Sequence, residues 1–202
     1  GALGPKSLNR ARLFYENVLE GSVTAMGSIK EAEAVKMVEN AFRDVNIAFV
    51  NELAMSFGKA GIDITHVLDG AATKPFGFMR FTPGCGVGGH CIPVDPYYLI
   101  RYGRENGFEH RFLIAARDIN SNMPHHAIRL LKKALAKRST DVREAQVALL
   151  GLAYKPDVPD LRESPALVMR ELMEDAGITI RSYDPFVPEE SPGTRSHSRM
   201  RN

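Results

Sequence analysis

The stretch from Ser28 to Gly61 most narrows what this chain can become. Val35, Val38, Phe42, Val45, Phe49, Leu53 and Phe57 recur there at three- or four-residue steps, an apolar stripe with no proline in its path. Ser28 followed by Glu31 has the form of a capping box, so the spacing predicts a helix from Ser28 to about Gly61. A helix of that length exceeds the usual globular size and tends to span a domain junction or a dimer interface. Lys36, Asn40 and Arg43 also fall on one helical face. A solvated polar face is the ordinary reading of such a trio. Asn40 argues for more, because asparagine is a poor helix former and sits mid-helix when a specific hydrogen bond holds it.

The second constraint is Phe81 to Tyr98, FTPGCGVGGHCIPVDPYY, which holds four glycines, three prolines and both cysteines of the chain. Glycine costs backbone entropy in regular structure and proline removes a donor, so this segment is neither helix nor strand. Long irregular segments inside compact domains are usually functional. Gly84, Gly86 and Gly89 satisfy G-x-G-x-x-G, but Thr82-Pro83 before them and Ile92 to Pro96 after them do not make the strand and helix that a dinucleotide turn requires. Cys91 is open to three readings: nucleophile, metal ligand, or small buried hydrophobe. Cys85, His90 and Cys91 lack the C-x2-4-C spacing of zinc knuckles, so no metal is expected. Gly88 and Gly89 would let backbone approach a ligand closely. Asp95 follows Cys91 by four residues. A carboxylate near a thiol raises the thiol pKa, so Asp95 is better cast as a base for water than as an activator of sulfur.

A net charge of +2, without a basic stripe interleaved with aromatics, argues against a nucleic-acid partner. No apolar run reaches transmembrane length, and two cysteines make no disulfide framework, so cytoplasmic thiols and no membrane are expected. Pro5 to about Leu19 reads as an amphipathic helix and Ser22 to Met26 as a short strand, the tail end of an α/β domain. Asp63 should cap a helix to about Ala72. Further helices are expected over Tyr97 to Asn106, Arg111 to Asn122, and from Pro124 to about Ala136. Arg138 to Arg143 reads as a linker. Gln146 to Gly151 and Ile178 to Tyr183 are strand patterns flanking a helix opened by Ser164-Pro165, one parallel βαβ unit. Its loops carry Lys155, Arg162 and Asp184 at the carboxyl ends of the strands, where ligands of such sheets sit. The tail from Ser191 lacks apolar periodicity and is expected to be disordered.

AVKMVENAFRDVNIAFVNELA, GCGVGGHCIPVDPYYL and VALLGLAYKPDVPDLRESPA, in that order, resemble the UDP-glucose/GDP-mannose dehydrogenase family of nucleotide-sugar 6-dehydrogenases. The resemblance implies a mainly α central dimerisation domain built on one long helix, followed by a partial, Rossmann-like α/β UDP-binding domain. It divides the chain into a remnant of an NAD-binding domain (1–27), the central domain (28–138), the partial UDP-binding domain (139–190) and a tail (191–202). It implies oxidation of a sugar C6 alcohol to the carboxylate with NAD, in the synthesis of surface polysaccharide precursors. In that chemistry Cys91 would form the thiohemiacetal and thioester. Lys36 and Asn40 match positions that hold a water and stabilise negative charge, and Asp95 matches the base for water. Gly88, Gly89, Arg43 and Lys155 are implied as sugar-nucleotide contacts, Arg162 as a cofactor contact, and the long helix as a homodimer interface. His90 and Val94 resemble the N-acetylhexosamine branch, pointing to UDP-N-acetylmannosamine or UDP-N-acetylglucosamine. A full Rossmann domain before the long helix and further strands after Tyr183 are missing from the pattern, so the chain reads as cut at both ends and inactive alone. A dimerisation or nucleotide-sugar-binding module without catalysis is the other reading, although keeping Lys36, Asn40, Cys91 and Asp95 is more than a scaffold requires.

Overall fold

The computed structural model describes residues 1–187, so the tail expected to be disordered lies outside the described residues. Helix α1 (Pro5–Val18) buries none of its residues. The strand expected over Ser22 to Met26 does not form. A strand is held by its ladder to a neighbour, and the two strands described pair with each other.

The capping box at Ser28 is made as the sequence predicts: its hydroxyl accepts from the Glu31 N–H at 3.1 Å, and its own N–H donates to Glu31 Oε2 at 3.1 Å. Helix α2 (Ile29–Ala60) then runs 32 residues to Gly61, whose φ of 73° is the left-handed closure that glycine allows. Its buried face is not the apolar stripe. Ala41, Asp44, Ala48 and Asn51 are buried, whereas Val35, Val38, Phe42 and Phe49 are 47–60% exposed. The small and polar face packs against the rest of the chain, and Val35, Val38 and Phe49 point away from it, while the half-exposed Phe42 ring meets Phe81 edge-on at 6.0 Å.

Asp63 caps α3 (Ile64–Ala72) by accepting from Thr65 N–H at 2.8 Å. Helix α4 (Asp95–Glu105) starts two residues before the expected Tyr97, because Pro96 fits the first turn, where its missing N–H is not needed. The break expected at Met123-Pro124 also fails to appear: α5 (Arg111–Lys137) is one helix of 27 residues. Pro124 has no N–H to give the Asn120 carbonyl four residues back. That carbonyl faces the Cys91 loop instead, so close that a Cβ on Gly86 would stand 3.1 Å from it. Buried Met123, Pro124 and Ile128 hold the helix in place on both sides of the interruption.

A short 3-10 turn (Val142–Glu144) leads into β1 (Gln146–Leu150), followed by α6 (Pro165–Asp175) and β2 (Thr179–Tyr183). The strands are parallel, Gln146 opposite Thr179 and Leu150 opposite Tyr183. Ile128 of α5 packs with Ala145, Met173 and Ile178 in the core of this unit. The amino-terminal half of α5 packs on α2, so α5 carries both halves of the chain. Asp184, just past β2, is buried and ties the loop after β1: Oδ2 accepts from Leu152 and Ala153 N–H at 2.8 and 2.9 Å. These backbone donors hold its carboxyl below the usual aspartate range.

Candidate active site

The loop between α3 and α4 is seated from both sides. Gly84 N–H donates to Asn51 Oδ1 of α2 at 2.8 Å, fixing the start of the loop. Farther on, Gly89 N–H donates to the Arg162 carbonyl at 3.1 Å, joining the loop to the segment before α6. Gly88 is the point of closest approach: a Cβ there would stand 2.7 Å from Tyr154 Cβ and 2.8 Å from both Glu163 O and Pro165 Cδ. The closeness that Gly88 permits is therefore to the βαβ unit. Gly89 keeps a φ of 81°, a conformation suited to glycine.

Cys91 sits at the turn into α4, its carbonyl accepting from Val94 and Asp95 N–H at 3.1 and 2.8 Å. This turn buries Asp95 and aims its carboxylate at α2, where Lys36 Nζ and Asn40 Nδ2 both donate to Oδ2 at 2.6 Å. Lys36 and Asn40 are four residues apart on α2, so one carboxylate oxygen reaches both. The Asp95 hydrogen bond raises the Lys36 ammonium above its ordinary pKa and keeps it charged. Each donor keeps a further N–H beyond the one given to Asp95, since an ammonium has three and an amide two. Cys91 and Tyr98 are near enough for their negative forms to act on Lys36 as well.

From the other side, Arg162 forks onto Asp160 with Nε to Oδ1 at 2.8 Å and Nη2 to Oδ2 at 2.7 Å. That pairing raises Arg162 and holds Asp160 far below the usual carboxylate range. Arg162 also feels the Cys91 thiolate, and Asp160 feels the charged form of His90. Segment 158–162 lines an open cleft of about 750 Å³. The structure thus brings Lys36, Asn40 and Asp95 into contact and sets Cys91 and Arg162 beside them. Arg43, two turns along α2 from Lys36, pairs with Glu39 at 2.8 Å. Lys155 is exposed in the loop after β1. Among the described residues no three His, Cys, Asp or Glu side chains converge as a metal site would require.

Sequence reasoning missed a buried polar network behind the loop. Arg117 Nη1 donates to Asp44 Oδ1 at 2.6 Å, Asn120 Nδ2 donates to the same oxygen at 2.8 Å, and Asn51 Nδ2 donates to Asn120 Oδ1 at 2.9 Å. Asn51 is the residue that holds Gly84, so the network ends on the Cys91 loop. Its signal was the one already visible at Asn40: Asn51 and Asn120 are asparagines deep inside long helices.

Residues 30–122 match the UDP-glucose/GDP-mannose dehydrogenase family, central domain, and residues 148–200 match the UDP binding domain of the same family. The UDP-N-acetyl-D-glucosamine 6-dehydrogenase of Pseudomonas aeruginosa is 42% identical over 178 residues, 88% of this chain and 42% of that protein. The UDP-N-acetyl-D-mannosamine dehydrogenase of Pyrococcus horikoshii is 40% identical over 187 residues, 93% of this chain and 44% of that protein. A solved structure of the Pyrococcus horikoshii UDP-D-ManNAc dehydrogenase superposes with a TM-score of 0.84 at 39% identity, covering 92% of this chain and 43% of that one. The chain spans about two-fifths of the length of these relatives.

Proposed function

The chain belongs to the UDP-glucose/GDP-mannose dehydrogenase family, and from that premise we propose that it supplies the thiol and sugar-binding part of a UDP-N-acetylhexosamine 6-dehydrogenase. The observation that carries the reading is the convergence of Lys36, Asn40 and Asp95 beside Cys91. In this reading the Cys91 sulfur adds to the C6 aldehyde. The remaining N–H groups of Lys36 and Asn40 stabilise the oxyanion that develops on the oxygen of the attacked carbon. Asp95 takes a proton from the water that later cleaves the thioester. Arg43 and Lys155 contact the nucleotide sugar, with half-buried Gly89 contributing backbone while Gly88 seats the loop on the βαβ unit. Arg162 faces the cofactor. UDP-N-acetylglucosamine and UDP-N-acetylmannosamine are the substrates proposed, supported by the names of the relatives and by His90 and Val94. The domain division is proposed as expected from the sequence, with the central domain ending near 138.

NAD, when bound, would accept the hydride whose loss turns the Cys91 thiohemiacetal into the thioester. The Cys91 loop is not a dinucleotide turn: Gly84, Gly86 and Gly89 lie in a loop with neither strand before nor helix turn at the glycines, and the space at Gly86 and Gly88 is filled by Pro165, Glu163 and Tyr154, so NAD would meet this chain at Arg162 instead.

Protection of Cys91 tests the reading. Saturating UDP-N-acetylglucosamine or UDP-N-acetylmannosamine is expected to slow its carbamidomethylation about tenfold, the occupancy effect at ten times Kd. N-acetylglucosamine without the nucleotide should not. Equal rates with and without the UDP sugar would remove the proposed function. With NAD present, the purified chain is expected to give no NADH signal. Turnover that vanishes in Cys91→Ala would mean that it does hold the dinucleotide.

We further propose a homodimer through α2, supported by the exposed row of Val35, Val38, Phe42 and Phe49. Light scattering is expected to give about twice the chain mass of 22.3 kDa, falling to one chain in Val38→Glu/Phe49→Glu. A wild-type monomer would exclude it.

A further inference from the structure

We propose that His90 is the base that takes the thiol proton of Cys91, with Asp160 supporting the imidazolium and Arg162 fixing Asp160. The inference rests on the reading of Cys91 as nucleophile and adds the group that activates it. The Cys91 sulfur lies 3.6 Å from His90 Nδ1 and 3.8 Å from Nε2. Those are hydrogen-bond distances for sulfur, nearly equal to the two nitrogens, so either nitrogen is in reach of the thiol proton. Loose geometry of this kind is usual before a substrate closes the site.

The charged neighbours leave the task to His90. From α2, Lys36 feels the thiolate but is held by Asp95 at 2.6 Å. From the segment before α6, Arg162 also feels it but is forked onto Asp160 at 2.7 Å. From α4 come Asp95 and Tyr98, both acids, and from the loop after β1 the half-buried Tyr154 phenol, whose burial pushes its pKa up. Each cation near the sulfur is thus already balanced by a carboxylate. His90 is exposed, touches the sulfur and has no ion pair among the described residues. The Gly89 N–H bond to Arg162 O, at 3.1 Å, sets His90 across the seam from Asp160, whose carboxylate the charged ring holds down along with Arg162. A nucleophile, a base in reach and a third group behind the base is the arrangement that activated thiols use.

The proton balance is simple. The S–H bond breaks, its proton moves to a His90 ring nitrogen, and the sulfur electron pair forms the bond to the electrophilic carbon. When water later cleaves the thioester, the new C–O bond forms as C–S breaks, and the imidazolium returns its proton to the departing sulfur. Both are proton transfers; the hydride lost between them, as thiohemiacetal becomes thioester, goes to the NAD of the proposed reaction.

Carbamidomethylation by iodoacetamide, followed across pH, tests this without any cofactor. Cys85→Ser leaves Cys91 as the one thiol of the chain. In that background His90→Ala is expected to slow the reaction about tenfold at pH 7. The rate at high pH, where any thiol is ionised, should not change, so the midpoint of the profile moves upward. Added imidazole should restore part of the loss in His90→Ala, and Asp160→Asn should move the midpoint the same way by less. His90 is exposed on the Cys91 loop and Asp160 partly exposed in the segment before α6, and circular dichroism checks that each variant is folded. A profile unmoved by His90→Ala, with Cys91 still reacting faster than Cys85 does in a Cys91→Ser chain, overturns the role of His90 alone. Cys91 reacting no faster than Cys85 in the parent overturns the nucleophile reading beneath it.

Discussion

Arg117→Met is expected to cost about 3–5 kcal/mol of unfolding free energy, the typical loss when one partner of a buried ion pair is removed. Asp44 is fully buried and Arg117 is 7% exposed, so the remaining carboxylate would have no route to solvent. Burial already raises the Asp44 carboxyl, with Arg117 working against that rise. Without the guanidinium, Asp44 either stays charged at high cost or takes up a proton. The Tyr97 ring, 5.6 Å from the guanidinium carbon, would lose a cation–π contact as well. A domain of this size has about 5–15 kcal/mol in hand, so the variant should unfold at far lower urea. Asp44→Leu/Arg117→Met is expected to regain most of the loss, because apolar groups of similar volume replace a buried pair with little penalty. Asn120 keeps the Asp44 backbone carbonyl, at 2.9 Å, as an acceptor in the double variant. Urea unfolding of the two single variants and the double one gives the coupling directly. A single-variant loss below about 1 kcal/mol would mean that the pair is effectively solvated.

The same network marks where sequence reading stopped. Local signals were legible: Ser28 with Glu31, Asp63, and Ser164 before Pro165 each start a helix where the residue types say they should, because a cap is decided within a few positions. The irregularity of the Cys91 loop was legible for the same reason. Partners far apart in the chain were not. Asp44 and Arg117 are separated by 73 positions, and no periodicity links them. The apolar stripe of α2 was correctly periodic yet assigned to no buried face within this chain, because periodicity finds a face without saying what covers it. Pro124 misled for a different reason. Its local rule is sound, but the carbonyl it orphans is placed against Gly86, and tertiary packing overrides the break. The site itself was legible chiefly through motif resemblance. Helical spacing grouped Lys36 with Asn40, but only the fold brings Asp95, 59 positions from Lys36, onto both.

Gly88→Ala is expected to be the most damaging single methyl in the Cys91 loop, whereas Gly84→Ala should be nearly silent. An alanine Cβ at 88 would press on Tyr154 Cβ at 2.7 Å and on Glu163 O at 2.8 Å. Neither atom is the end of a flexible side chain. Glu163 is also pinned in a left-handed turn with φ of 53°, unusual for a residue with a side chain, so its carbonyl is not free to swing aside. Overpacking of this kind costs about 1–3 kcal/mol. The way to relieve it is to part the loop from the βαβ unit, which also breaks the Gly89 N–H bond to Arg162 O and costs about another 1 kcal/mol. A Cβ at Gly84 meets nothing within 4 Å, and alanine there keeps the N–H that Asn51 accepts. Parting the loop has a chemical consequence besides the loss of stability. Cys91 and His90 ride on the loop while Asp160 and Arg162 ride on the other side, so the variant separates the thiol from the group proposed to support its base. Thermal melting should therefore fall for Gly88→Ala and not for Gly84→Ala. Carbamidomethylation of Cys91 in Gly88→Ala should move toward the profile of Asp160→Asn. If melting falls and the profile stays put, the seam at Gly88 holds the two halves together without tuning the thiol. If neither moves, the contact at Gly88 is not the close seam on which this prediction depends.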